Sequence, residues 1–379
     1  MGSYVRQFVC DVSVVKSCSA AIVLISGRFL LVIHRVYKSW KFHLKNVFKK
    51  PLTRFQSAKP SPPASETPAP APVPPPAVVA PTRPIAWEDD ISRNTLDSLP
   101  FQNRPAPSEY AEEDFLKLSR MYVIGPLLGE RKLGELMSRD TFPIPSAEDR
   151  EGFAPGDDGL YWLSGLEDYL KIQDVAWRYG NRQQSVLDFG CASGRVLRHF
   201  AAQSSVTQLW GSDINARHIR WLHDHLPLQV KPIFNHCLPT LPLRDQSVDL
   251  ITAFSVFTHI DTFETSWLAE LSRIMHDDGL CYVTVHNEDT WQACRNEIDN
   301  PDNRLVQSIL ACDPAVRDKI REPLAEGRTV YRFTPSGPYR SQVFHSNSYL
   351  HNVWGRFFNI REILPSHHVR QTVLVLTKK

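Results

Sequence analysis

Small residues alternate along Val186-Leu187-Asp188-Phe189-Gly190-Cys191-Ala192-Ser193-Gly194-Arg195, where a short apolar run gives way to a helical pattern. Small side chains let a ligand approach the backbone, and a helix start offers it unpaired N–H groups. A G-x-A-x-G turn is a weak signal alone, but Asp213 closes the next apolar run about twenty residues on, where a carboxylate can accept both hydroxyls of a ribose. Together they point to an adenosine-containing ligand. Asp188 then chooses between two kinds. A carboxylate beside the glycines repels a pyrophosphate, yet suits the cationic amino and sulfonium groups of S-adenosylmethionine, directly or through water. An NAD-dependent oxidoreductase is disfavoured on that ground, and because Val196 or Leu197 stands where a third fingerprint glycine is expected.

These residues need elements to hold them. A helix face through Leu166, Tyr169, Leu170, Ile172, Val175, Ala176 and Tyr179 stops at Gly180. The patterns after it read as strand Ser185–Phe189, helix Arg195–Ala202, strand Gln208–Asp213, helix Ala216–His225 and strand Val230–Phe234. Strand Val248–Phe254, helix Trp267–Met275, strand Leu280–His286 and a last strand Thr372–Leu376 complete the series. Strict alternation predicts right-handed βαβ units and a parallel, doubly wound α/β sheet.

VLDFGCASGRVLRHFA resembles the first motif of the class I S-adenosylmethionine-dependent methyltransferases, and LWGSDINARHIRWL resembles their second. LPLRDQSVDLITAFSVFTHI is similar to the stretch leading into their fourth strand, and ELSRIMHDDGLCYVTVHNE to the helix-turn-strand ending in the fifth. The C-terminal run VFHSNSYLHNVWGRFFNIREILPS, followed by QTVLVLTKK, is similar to the tail of bacterial members often associated with polysaccharide or lipid modification. The resemblance implies a Rossmann-like, doubly wound seven-stranded sheet with S-adenosyl-L-methionine as cofactor. It also implies that Asp188, Gly190, Ala192 and Gly194 line the methionine end, Asp213 holds the ribose and Ile214 flanks the adenine. Asn235, taken from Asn235 to Leu238 on hydrogen-bonding capacity, faces the adenine edge, and Ser255 sits near the methyl-donor end. Ala192 departs from the family, where glycine is frequent, and its extra methyl implies a small crowding cost.

Methyl transfer is an in-line displacement on an electrophilic sulfonium, so the protein holds donor and acceptor about 3 Å apart and removes the acceptor's proton if it has one. An oxygen acceptor calls for a general base, for which His259, His286 and His345 are the candidates. Each has a structural reading too: His259 could cap the following helix, and His345 could lie under a loop. The acceptor expected is a hydroxyl of a glycan, lipid-linked sugar or small molecule. His218, His223 and His225 do not share one helix face, so no metal site is expected there. There is no GxSxG elbow, no GxxxxGK[ST] loop and no [DN]PP[YF] sequence.

The chain has 379 residues and is 42% hydrophobic, enough for about two domains. Its seven cysteines are an odd number without a CxxC pair, as expected of free thiols in a reducing compartment, hence a cytoplasmic location. Residues 1–50 carry nine Lys/Arg and one acid, leaving 34 basic against 40 acidic residues beyond. An acidic body is a poor nucleic-acid binder, so no nucleic-acid partner is expected. The apolar run Ala20–Ile33 is broken by Arg28 and too short for a spanning helix, which needs roughly 20 residues, and no signal peptide is read.

Within residues 28–50, Leu30, Ile33, Tyr37, Trp40, Leu44 and Phe48 share one helical face while Lys38, Lys41, Lys45 and Lys49 recur on a neighbouring one. Such a basic amphipathic helix can lie peripherally on an anionic membrane surface, at the inner membrane face; packing on the body or on a partner accounts for it equally well. Eleven of the 25 residues from Pro60 to Pro84 are proline, predicting an extended tether. The organisation read is a basic segment 1–55, a disordered Pro-rich linker 56–107, a helical extension 108–150 and a methyltransferase domain 151–379. Within that domain, 289–340 is an insertion over the acceptor site. The rival of a different class is a non-catalytic recruiting module with the same fold, against which the intact Asp188, Gly190, Gly194 and Asp213 set speaks.

Overall fold

The computed structural model describes residues 100–115, 124–150, 153–312, 315–332 and 341–379. The basic N-terminal segment and the Pro-rich stretch lie outside the described residues. Contacts divide the chain into units 1–79 and 80–379, so every described residue belongs to the second. Its elements are α1 (Leu133–Arg139), α2 (Asp158–Arg178), β1 (Ser185–Phe189), α3 (Leu197–Gln203), β2 (Gln208–Asp213), α4 (Ala216–His225), β3 (Val230–Phe234) and β4 (Val248–Ala253). They continue through α5 (Glu264–Ile274), β5 (Met275–Val285), α6 (Glu288–Asn296), α7 (Arg304–Cys312), α8 (Val316–Arg321), β6 (Arg328–Arg332) and β7 (Ser341–His345). The last are α9 (Asn347–Val353), β8 (Phe358–His368) and β9 (Gln371–Lys378).

Seven strands form one sheet in the order β3-β2-β1-β4-β5-β9-β8. The first five run parallel, as expected, whereas β9 is antiparallel to both β5 and β8. The doubly wound seven-stranded sheet is as expected, and only this edge departs from the parallel run. The connection from β8 to β9 is too short for a crossover helix, so the pair must close as a hairpin. β8 escaped the sequence reading because its residues alternate between half-buried and exposed without an apolar run.

The period-two alternation of the central strands builds two cores. Val186, Leu250, Tyr282, Val373 and Val375 face α2, where Leu163, Leu166, Tyr169 and Leu170 meet them. Leu187, Ile251, Val283 and Leu374 face the other way, against Trp267, Leu271 and Trp354. β1 and β4 are buried at every residue, as strands covered on both faces must be.

Residues 124–150 pack into the α2-side core through Leu133, Leu136, Met137 and Ile144. A buried charge pair clamps them there: Arg198 of α3 donates from Nε and Nη2 to Asp140 and also to the Phe142 and Pro143 carbonyls. Helices α6, α7 and α8 and strand β7 share a core of their own around Trp291, Val306, Ile309, Ile320 and Phe344. Among the described residues no helix is long and apolar enough to cross a membrane.

Candidate functional site

The carboxyl ends of β1, β2, β3 and β4 converge on one edge, and the turn leaving β1 is its centre. Gly190 and Gly194 hold φ of 74° and 78°. The Gly190 and Cys191 N–H groups both donate to the Ser212 carbonyl of β2, and the Gly194 N–H donates back to Cys191. A side chain at Gly190 would overlap Val256. Gly190→Ala therefore combines left-handed strain of roughly 1–2 kcal/mol with overpacking of roughly 1–3 kcal/mol. We expect denaturant unfolding to show a loss of about 2–5 kcal/mol, and an unchanged midpoint would contradict the packing described here.

Ala192 holds φ of 45°, so its departure from glycine carries backbone strain. Its N–H donates to Asp213 Oδ2 at 2.8 Å, which holds the strained turn against β2. Asp213 Oδ1 accepts the Asn215 N–H at 2.8 Å, and Asn215 in turn caps α4. The carboxylate thus joins the glycine turn to the next helix.

Asp188 is 2% exposed in mid-sheet, with Oδ1 accepting the Thr252 hydroxyl of β4 at 2.8 Å. Burial pushes its carboxyl up to about 6, against the opposing Thr252 bond. A cationic ligand requires the carboxylate. Affinity for S-adenosylhomocysteine is therefore expected to fall below about pH 6, approaching tenfold per unit, and to stay flat between pH 7 and 8. Calorimetric titration at pH 5, 6 and 7.5 checks this, and a flat profile would place the cationic group elsewhere.

Around the expected adenine position, Ile214 is 43% exposed and Leu238 and Phe234 also present apolar surface. Asn235 lies buried between them, tied by its N–H to the Asp213 carbonyl; its side-chain NH2 donates to the His236 carbonyl, and its Oδ1 has no hydrogen-bond partner. A buried unpaired acceptor beside apolar faces fits an exocyclic amino group on a flat base. Ser255, just past β4, holds φ of 58°, takes the Thr284 hydroxyl as acceptor for its N–H, and accepts from Gln371 Nε2 at 2.8 Å. The glycine turn, the Asp213 carboxylate bonded to it, the unpaired Asn235 acceptor and the buried Asp188 lie along one edge, and these residues fit S-adenosylmethionine.

The structure gathers His259, His286 and His345 around β7. His259 Nδ1 donates to the Ser341 carbonyl at 2.7 Å, because a carbonyl can only accept, and burial lowers the ring's pKa. His286 stacks on Phe344 with Nε2 3.2 Å from Gln342 Oε1, and burial pulls it down to about 3. His345 is fully buried, its Nε2 3.3 Å from Glu264, whose carboxylate accepts from Trp354 and Arg328. The rings of His218, His223 and His225 part company: beside Asp213, exposed beside Asp224, and stacked on Trp221.

Sequence reasoning missed a fourth histidine. His368, at the tip of the β8–β9 hairpin, donates from Nδ1 to Asp168 Oδ1 at 2.9 Å. Burial would raise the Asp168 carboxyl, but His368 and Arg195 more than offset it and hold it well below the usual carboxylate range. Arg195, next to the glycine turn, lies 2.7 Å from Asp168 Oδ2 and over the Phe254 ring, while His368 stacks obliquely on the same ring. Asp168 and His368 are 200 residues apart, and no spacing rule connects them. A depression lined by Tyr179, Phe358, Ile360 and Arg361 lies at the β8 edge of the sheet and shares no residue with this site.

Residues 164–361 match the family model described as "Methyltransferase domain". No curated protein matches the chain. Among solved structures it is similar to an S-adenosylmethionine-dependent methyltransferase from Clostridium acetobutylicum ATCC 824, at 9% identity and TM-score 0.38 over 57% of this chain and 91% of that one. It is also similar to S-adenosylmethionine-dependent methyltransferases from Methanosarcina mazei, at 16% identity and TM-score 0.35 over 53% and 96% of the two chains. A putative S-adenosylmethionine-dependent methyltransferase from Listeria monocytogenes aligns at 11% identity and TM-score 0.36 over 55% and 99%.

Proposed function

The chain belongs to the methyltransferase-domain family and is an S-adenosylmethionine-dependent methyltransferase of class I, and from that premise we propose that its acceptor is a hydroxyl of a glycan, lipid-linked sugar or small molecule. The cofactor, when bound, supplies an electrophilic methyl group on a sulfonium. The residues described above bind and orient it: Asp213 at the ribose, Asn235 at the adenine edge, and Asp188 at the cationic methionine end.

The observation that carries the hydroxyl reading is the Asp168–His368 pair. A hydroxyl must lose its proton as it is methylated, so a base is required at the methyl-donor end. The Asp168 carboxylate can only accept, so His368 Nδ1 carries a proton, which leaves Nε2 as the ring nitrogen able to present a lone pair. This is a base oriented by a third group, the general pattern for an activated proton acceptor. His368 keeps 12% side-chain exposure, whereas His286 and His345 are enclosed and His259 is engaged with Ser341.

Transfer of labelled methyl groups from S-adenosylmethionine to a panel of monosaccharides, lipid-linked sugars, small alcohols, amines and carbon acids tests the reading. Label is expected on oxygen, and His368→Ala is expected to lower kcat about 10²- to 10⁴-fold with little change in KM for the cofactor. Label found only on nitrogen or carbon acceptors would overturn it.

A further inference from the structure

Arg150 is a charged side chain without enough partners. It ends the short turn Glu148–Arg150 and is 5% exposed. Nη2 donates to Asp158 Oδ1 at 2.7 Å, but Nε and Nη1 are enclosed and have no hydrogen-bond partner. Leaving buried donors of a cation unpaired is strongly unfavourable, so such a group marks a place where an anionic acceptor belongs. The neighbouring Asp149 carboxylate is not that acceptor, since Arg217 Nε takes it.

Its position says which anion. The guanidinium lies 5.0 Å over the Tyr161 ring, and the Tyr161 hydroxyl donates to the Ser193 carbonyl inside the glycine turn. The Ser193 hydroxyl donates to the Asp149 carbonyl, tying the residue before Arg150 to the same turn. Arg150 is thus fixed against the Ala192–Gly194 backbone, whose other flank leads back to Asp188. The methionine portion of the cofactor is a zwitterion: Asp188 supplies the anion for its cationic groups, and a cation is needed for its carboxylate.

We infer that Arg150 binds the α-carboxylate of the methionine portion of S-adenosylmethionine. The inference rests on the cofactor assigned above. Two nucleoside probes separate it from a structural role. S-adenosylhomocysteine carries the amino-acid carboxylate, whereas 5′-methylthioadenosine keeps the adenosine and thioether without it. Calorimetric titration of the full chain with both is expected to show Arg150→Gln weakening S-adenosylhomocysteine about 10- to 100-fold while 5′-methylthioadenosine binds as to the wild type. Arg150→Lys, which keeps the charge but not the fork, should recover part of the loss. Equal weakening of both nucleosides, or no weakening of either, would overturn the assignment. A wild-type chain that binds neither would instead overturn the cofactor reading beneath it.

Discussion

Asp213→Ala is expected to weaken S-adenosylhomocysteine binding by at least about 100-fold. The carboxylate does two things at once. It accepts the Ala192 and Asn215 N–H groups, fixing a turn whose strained residue would otherwise relax, and it stands at the end of β2, where we propose that it also takes the ribose hydroxyls. Hydrogen bonds to a charged group contribute roughly 1.5–3 kcal/mol each, so losing two ribose contacts alone corresponds to about 3–6 kcal/mol, or 10²- to 10⁴-fold in affinity. Asp213→Asn should be intermediate in affinity, because its amide offers one acceptor where two N–H groups need one each. Titration with S-adenosylhomocysteine and 5′-methylthioadenosine reads the effect. Both should weaken together, since both carry the ribose, and affinity within threefold of wild type for Asp213→Ala would remove Asp213 from the site.

The second large effect is on stability in acid. Burial holds His199 and His286 near 3, far below the ordinary histidine value. In the folded state both stay neutral, whereas in the unfolded chain both take up a proton below about 6.5. A depressed histidine therefore contributes stability at neutral pH that is lost as pH falls from about 6.5 toward 3. Asp188 acts oppositely: with its folded value raised to about 6 it binds a proton that the unfolded chain does not, between about 6 and 4. The net is about one proton favouring unfolding, or about 1.4 kcal/mol per pH unit, so close to 3 kcal/mol should be lost between pH 6 and 4.

His259 and His367 are lowered as well and act in the same direction. Below about 4 the slope should steepen, because the Asp140, Asp168 and Glu264 carboxyls are held low by their partners despite burial and must then be protonated. Denaturant unfolding at pH 7, 6, 5, 4 and 3.5 measures the slope. His199→Gln, which can still donate to the Trp162 carbonyl that the ring faces at 3.0 Å, should flatten it by about one proton. Equal stability at pH 7 and 5 would contradict the burial of these rings.

The sheet and the cofactor edge were legible in the linear chain for a common reason. Strands β1, β2 and β3 and helix α4 begin and end where the residue patterns place them, because each is set by local periodicity and by the turns that bound it. Asp188, Gly190, Gly194 and Asp213 lie within thirty residues of one another, and a single strand-turn-helix-strand unit brings them together. Chemistry written in one βαβ unit can be read without knowing the rest of the fold.

What the linear chain did not contain is every contact made by closing the sheet. β8 has no apolar run because it is an edge strand with half-buried residues, and its pairing with β9 creates the hairpin tip that carries His368 to Asp168. Arg150 reads as an ordinary surface charge until the Glu148–Arg150 turn is folded against Ser193 and Tyr161 and two of its donors are shut away from water. The same closure makes His286 and His345 interior residues. Residue type and local spacing determined the cofactor and the strands that hold it. Burial, which depends on partners up to 200 residues away, decided which charges are paired, which histidine keeps an oriented lone pair, and which arginine is left wanting an anion.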